Sequence, residues 1–212
     1  MPASTVIRGL YVITDDRHNS AAQLVKHVGQ AIAGGARIVQ YRAKNVPPER
    51  RLEEATALTE LCQYHTLPLI INDNIELAQR VGAAGVHLGR DDTPLAAARQ
   101  QLGEQALIGI SCYNRLDNAI SAERDGADYV AFGSFFPSPT KPWAVASPLT
   151  LLQQARQHLS IPVVAIGGIT ASNGANLITA GASALAVVSG VFGGPDIRAA
   201  AEAYTRLFSQ PE

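Results

Sequence analysis

Sulfur and aromatic chemistry are scarce in this chain. Its 212 residues include two cysteines, one methionine and one tryptophan, and only 6% are aromatic. Cys62 and Cys112 stand far apart and without metal-ligand spacing. That excludes a disulfide-framed scaffold and a thiolate zinc site, and the pair reads as lone buried thiols in a reducing compartment. No apolar run approaches the ~20 residues that span a bilayer. The opening MPASTVIRGL has no charged segment leading into a long apolar stretch, as a secretory signal would. A cytoplasmic protein with no membrane partner is the expectation. Excess charge is missing too: 17 Lys and Arg face 18 Asp and Glu, spread along the chain. Without a basic stripe, nucleic acid is excluded as a partner. An anionic ligand must then be caught locally, by a few placed cations and backbone N–H groups.

What is present is a steady alternation. Short apolar runs at 9–14, 37–41, 67–71, 85–88, 107–111, 128–133, 162–167 and 184–189 are rich in Val and Ile and apolar almost throughout. Strands buried on both faces have this character. Helix-like stretches such as 20–35, 47–65, 74–83 and 147–160 lie between them. Pro47-Pro48 suits a helix start, where a missing N–H costs nothing. Asn114, Ser147 and Ser172 are N-cap candidates, and recurrent Gly-Ala pairs close helices before the next strand. Alternating β and α units imply a parallel sheet with right-handed crossovers. Eight such units in one chain predict a (β/α)8 TIM barrel, a single domain over 1–212 with no linker or low-complexity segment.

In such a barrel the site forms at the strand C-termini and the loops after them. The second strand runs out through Gln40, Arg42 and Lys44, which period two places on one side of an extended chain. They read as cations snorkelling at a strand exit or as an anion clamp, the arginine supplying a fork and the lysine a point charge. After the third and fourth strands come Asn72-Asp73-Asn74 and Gly89-Arg90-Asp91-Asp92. Asp73, Asn74 or Asp92 alone would serve as a helix cap. Together, carboxylates on neighbouring strand ends suit Mg2+ shared with a phosphate. His87, inside GVHL, reads as packed or hydrogen-bonded. Strand five offers Ser111. Strand six leads into FGSFFPSPTKPW (132–143), where prolines stiffen a loop carrying Ser138, Thr140 and Lys141. Strands seven and eight end in Gly167-Gly168 and Val188-Ser189-Gly190, where glycines let backbone N–H groups approach a phosphate. A tight βα turn accounts for one of the paired glycines and less readily for two. These ends hold no Ser-His-Asp set, Cys-His pair or zinc-spaced cluster.

The segments YVITD, QYRAK, IINDN, GVHLGRDD, IGIS, ADYVAFGSFFPSPTK, VVAIGGI and AVVSG resemble, in order and over nearly the whole chain, the thiamine-phosphate synthase family. The combination of Q-x-R-x-K, N-D, G-x-x-D and F-P-[ST]-x-T-K carries the resemblance. It implies a (β/α)8 barrel that couples a hydroxymethylpyrimidine diphosphate to a thiazole phosphate, giving thiamine phosphate and pyrophosphate. It further implies that Gln40, Arg42, Lys44, Asn72, Ser111 and Lys141 hold the pyrimidine diphosphate, with Arg42, Lys44 and Lys141 catalytic. Asp73 and Asp92 would bind Mg2+. Ser138, Thr140, Gly168, Val188 and Ser189 would receive the thiazole phosphate. The partners are thus small phosphorylated molecules; a homo-oligomer is compatible with the pattern, though no segment names an interface. Arg90, Tyr113 and Ser138 depart from the family's usual glutamine, histidine and threonine. The alternatives are a thiazole tautomerase on the same barrel and a non-catalytic thiamine-precursor-binding protein.

Overall fold

The computed structural model describes residues 6–137 and 147–209. The apolar runs form eight parallel strands: β1 (Gly9–Ile13), β2 (Ala36–Tyr41), β3 (Leu69–Asn72), β4 (Gly85–Leu88), β5 (Leu107–Tyr113), β6 (Tyr129–Phe132), β7 (Val163–Ile166) and β8 (Ala184–Val187). They pair in chain order and close into a barrel, β8 returning to β1 from Gly9↔Ala184 to Val12↔Val187. Each of β1 to β7 is followed by a helix: α1 (Ala21–Ala33), α2 (Pro48–Tyr64), α3 (Ile75–Val81), α4 (Leu95–Leu102), α5 (Leu116–Arg124), α6 (Thr150–His158) and α7 (Gly174–Ala180). After β8 come a single turn, α8 (Ser189–Phe192), and then α9 (Ile197–Thr205), which ends in a 3-10 turn. The barrel expected from the sequence is the fold observed.

Strand alternation divides the core in two. Leu10 and Val12 of β1 face the helices, within the large layer that also holds Leu24, Val28 and Leu58. Tyr11 and Ile13 face inward and pack with Ile38, Ile70, Tyr129 and Val164. Both faces of each strand are therefore buried, which is why the runs read as continuously apolar.

Helix ends follow the expectations in part. Pro47 holds the N-cap position of α2 and Pro48 begins it. Asn74 caps α3 by accepting from Leu77 N–H. The three proposed caps fail, each for a local reason. Arg115, not Asn114, stands at the α5 N-cap position, without a side-chain bond. Ser147 precedes α6 by three residues and its N–H donates to Ser134 O at 2.7 Å, tying it to the β6 exit. The Ser172 hydroxyl pairs with that of Thr170 at 2.9 Å, and Asn173 takes the α7 cap position. Gly34, Gly82 and Gly181 end helices as expected, whereas Asp125 takes that place ahead of Gly126. Among the described residues no helix is long and apolar enough to cross a membrane. Ser138, Thr140, Lys141 and Trp143 lie outside the described residues.

Candidate active site

In β2, Ile38 and Gln40 face the barrel interior, while Val39 and Tyr41 face the helices. Gln40 is only 3% exposed and donates through Nε2 to the Tyr11 hydroxyl at 2.8 Å. The strand stops at Tyr41, so Arg42 and Lys44 belong to the loop beyond it rather than to one extended side. The loop after β1 holds that loop. Arg42 N–H donates to Thr14 Oγ1 at 2.9 Å, and Asp16 Oδ2 accepts from Asn45 N and Nδ2 at 3.1 and 2.9 Å. Below them Glu54 of α2, wholly buried, accepts from Tyr41 Oη and from Arg50 Nε. His18 Nε2 stands 3.0 Å from Glu54 Oε1 but off the hydrogen-bond line. Burial alone would raise the Glu54 carboxyl, yet its contacts with Tyr41, His18 and Arg50 outweigh that and hold it below the usual range. The half-buried Arg42 has no ion-pair partner among the described residues.

Asn72 closes β3 opposite His87 of β4. Asp73 then turns the chain through a left-handed conformation, φ 62°, with its N–H donating to His87 O at 2.9 Å. Asn74 does the capping, so the Asp73 carboxylate is left for the mouth. Asp92 does not cap α4, whose cap position is Pro94; its Oδ2 accepts from Gly89 N–H at 2.6 Å and closes the β4 turn. Burial and the adjacent Asp92 push the Asp73 carboxyl above the usual range, against the pull of Lys44. The Lys44 ammonium is 3.6 Å away and more than half exposed. A hollow of about 560 Å³ is lined here by Lys44, Asn72, Asp73 and Thr93. A second, of about 420 Å³, is lined by Gly89, Asp92, Ser111 and Tyr113. Arg90 and Tyr113, two of the departures from the family pattern, touch one another: Arg90 Cζ lies 4.8 Å from the Tyr113 ring centroid.

Between these groups runs a hydrogen-bonded string through the barrel interior. Tyr11 Oη is 2.9 Å from Tyr129 Oη, Tyr129 Oη is 3.1 Å from His87 Nδ1, and His87 Nε2 is 2.9 Å from Ser111 Oγ. The His87 and Tyr129 rings stack with centroids 5.6 Å apart. Gly109 makes room for the tyrosine, because a Cβ there would fall 2.0 Å from Tyr129 Cζ. Burial pushes the His87 imidazole down to about 4 and the Tyr11 phenol up to about 12, so both are neutral near pH 7. His87 is hydrogen-bonded, as the sequence suggested. Tyr11, Tyr129 and Thr14 were not foreseen; the available signal was two tyrosines at inward positions of otherwise aliphatic strands.

On the opposite side, Gly167 and Gly168 adopt φ of 103° and 61°. A Cβ on Gly168 would stand 2.4 Å from Pro137 O, and one on Gly167 would stand 2.0 Å from Ser134 Oγ. Both glycines are thus required by the chain leaving β6, whose Phe136 N–H donates to Gly167 O at 3.1 Å. Val188 holds the N-cap position of α8 and Ser189 begins it, and the first amides of that turn have no intrahelical acceptor. Tyr204 of α9 donates to Ile169 O at 2.9 Å and braces these two loops from below. Gln40, Asn72, Asp73, Asp92, Ser111, Gly168, Val188 and Ser189 all lie at the C-terminal ends of their strands or in the loops beyond, on one mouth of the barrel.

Fold and site together define a closed parallel barrel whose C-terminal mouth carries cations and carboxylates on one flank and glycine-rich loops on the other. Comparison makes the assignment specific. The thiamine monophosphate synthase family matches residues 10–191, and the chain belongs to that family. It is 52% identical over 202 residues to a thiamine-phosphate synthase of Thioalkalivibrio sulfidiphilus, covering 95% of this chain and 96% of that one. It is 52% identical over 205 residues to one of Nitrosococcus oceani, covering 97% and 94%. A thiamine phosphate pyrophosphorylase structure from Pyrococcus furiosus superposes with a TM-score of 0.85 at 34% identity, covering 98% of this chain and 97% of that one. A 3-hexulose-6-phosphate synthase shares the fold alone, at TM-score 0.69 and 15% identity.

Proposed function

We propose that the chain is a thiamine-phosphate synthase, a transferase joining a pyrimidine methyl diphosphate to a thiazole phosphate with release of pyrophosphate. The observation that carries this reading is the match along 95% or more of the chain to relatives of that name, together with a mouth that gathers cations, paired carboxylates and glycine loops. Gln40, Asn72 and Ser111 would seat the pyrimidine diphosphate, with Arg42, Lys44 and Lys141 drawing its negative charge. Ser138, Thr140, Gly168, Val188 and Ser189 would receive the thiazole phosphate.

The carbon–oxygen bond to the diphosphate breaks and its electron pair leaves with the pyrophosphate. The thiazole nitrogen then gives its lone pair to the methylene carbon, forming the new carbon–nitrogen bond. That nitrogen carries no proton, so no base is needed. Arg42, Lys44 and Lys141 stabilise the departing charge. Such preorganised electrostatics and positioning are each worth several kcal/mol.

The residues also fit Mg2+. Asp73 and Asp92 crowd like charges together, and among the described residues the ion-pair partner of Asp73 is an exposed lysine at 3.6 Å. Hard carboxylate oxygens are what this ion prefers, and it takes few protein ligands when phosphate oxygens complete its shell. When bound by Asp73 and Asp92, the ion would neutralise diphosphate charge.

With both substrates and Mg2+, the purified chain is expected to form thiamine phosphate, and with either substrate omitted to form nothing. Isomerisation of the thiazole phosphate alone would instead identify a tautomerase. Lys141→Ala is expected to lower kcat about a hundredfold, the scale of losing one transition-state charge contact, with little change in KM for the thiazole. Equal losses in both would reduce the lysine to a docking group.

A further inference from the structure

The interior string has a direction, and the direction decides what Ser111 can bind. Each of its five residues holds a fixed stock of protons. Gln40 Nε2 can only donate, and it faces the Tyr11 hydroxyl at 2.8 Å. Tyr11 is 1% exposed, so its own proton must go to Tyr129, the other partner in reach at 2.9 Å. Tyr129, equally buried, then gives its proton to His87 Nδ1 at 3.1 Å. A neutral imidazole accepting at Nδ1 carries its proton on Nε2, which donates to Ser111 Oγ at 2.9 Å. Run the other way, Ser111 would donate to His87 and Tyr129 to Tyr11. The Tyr11 proton would then oppose the Gln40 amide protons with no acceptor among the described residues.

We infer that Tyr11, Tyr129 and His87 are positioning residues that aim the Ser111 hydroxyl proton out of the barrel mouth, making Ser111 a donor to an anionic oxygen of the diphosphate. Its acceptor side is occupied from within by His87, while the serine itself is half-buried on the wall of the hollow it shares with Asp92. An inward string would present lone pairs at the same spot and favour a ligand N–H instead. The neutrality of His87 follows from the same geometry, since an Nδ1 that accepts the Tyr129 proton cannot carry one of its own. Gly109 belongs to the same device, since only a residue without Cβ leaves space for the Tyr129 ring. The assignment of the anionic ligand rests on the synthase reading; the direction of the string does not.

The test is nitrogen-15 NMR of the histidine-labelled full chain without substrate, with the His87 signals assigned by their loss in His87→Gln. The expected result is a protonated Nε2 and an unprotonated Nδ1. Gln40→Glu replaces the donor by an acceptor and is expected to reverse the string and move the proton to Nδ1. If that variant does not fold, Tyr129→Phe removes the donor to Nδ1 and is expected to leave a mixture of tautomers. A protonated Nδ1 in the unaltered chain, or a tautomer indifferent to these substitutions, overturns the inference. In turnover, His87→Ala and Ser111→Ala should each lower kcat/KM for the diphosphate substrate by about ten- to a hundredfold, the loss of one hydrogen bond to a charged group. The double variant should lose no more than either alone, and His87→Gln, whose amide reaches the Nε2 position, should recover most of the loss. Additive losses without recovery would contradict the coupling. Because the tautomer is read without substrate, its failure is distinguishable from absence of synthase activity.

Discussion

Glu54 has no exposed surface, yet its carboxyl lies below the usual range because Tyr41, His18 and Arg50 surround it. Removing it strands a buried phenol and two nitrogen-bearing side chains beneath the Arg42–Lys44 loop. Glu54→Ala is expected to cost about 3 kcal/mol in chemical denaturation at pH 7, as when one partner of a buried charged set is removed. The sign with pH follows from the depressed folded value. The stabilisation is present above the unfolded value and is lost as pH falls through the folded one, so the gap between the two proteins should narrow below about pH 4. A gap constant with pH would mean that the charge contributes nothing. The sequence hid this residue because a glutamate at a core position of a charged helix looks like any other. Arg90 is the converse case, a departure visible in the sequence whose partner, Tyr113, was not. An exposed cation–π contact is worth ~0.5–1 kcal/mol, so Arg90→Gln should change stability by no more than that and leave turnover intact. A large loss of turnover would place Arg90 in the catalytic apparatus.

Strand identity was legible because burial on both faces leaves a run with no alternation, and eight such runs imply closure. Helix ends were less so. Ser147 and Ser172 have the right side chains for capping, but the Ser147 backbone is held three residues short of α6 by its N–H bond to Ser134 O, and the Ser172 hydroxyl pairs with that of Thr170. The paired glycines after β7 were read as a way to bring amides near phosphate. Contact with Ser134–Pro137 is reason enough for both. Gly168→Ala would combine a positive φ with a Cβ 2.4 Å from a carbonyl oxygen. It is therefore expected to cost about 2 kcal/mol in chemical denaturation, where a Gly-to-Ala change at a permissive site would cost little.

For the barrel as a unit, one mouth collects residues from β2, β3, β4, β5, β7 and β8 that sequence order keeps apart. The motifs at those ends were readable because each is local. The interior string was not, since it joins Tyr11 to Tyr129 across 118 positions and only closure brings them together. The mouth also concentrates unlike demands, with Asp73 and Asp92 held against their mutual repulsion. Mg2+ should therefore raise the melting temperature of the free chain, by preferential binding to the folded state, and Asp73→Asn should abolish that rise without itself unfolding the barrel. An unchanged rise in the variant would remove Asp73 from the ion's ligands. The most direct measurement is phosphorus-31 NMR of the purified chain with pyrimidine diphosphate, thiazole phosphate and Mg2+. The synthase account predicts pyrophosphate and thiamine phosphate appearing in equal amounts, stopped by EDTA. Substrate signals that persist unchanged in the presence of folded protein, or products that form unaffected by EDTA, would contradict it.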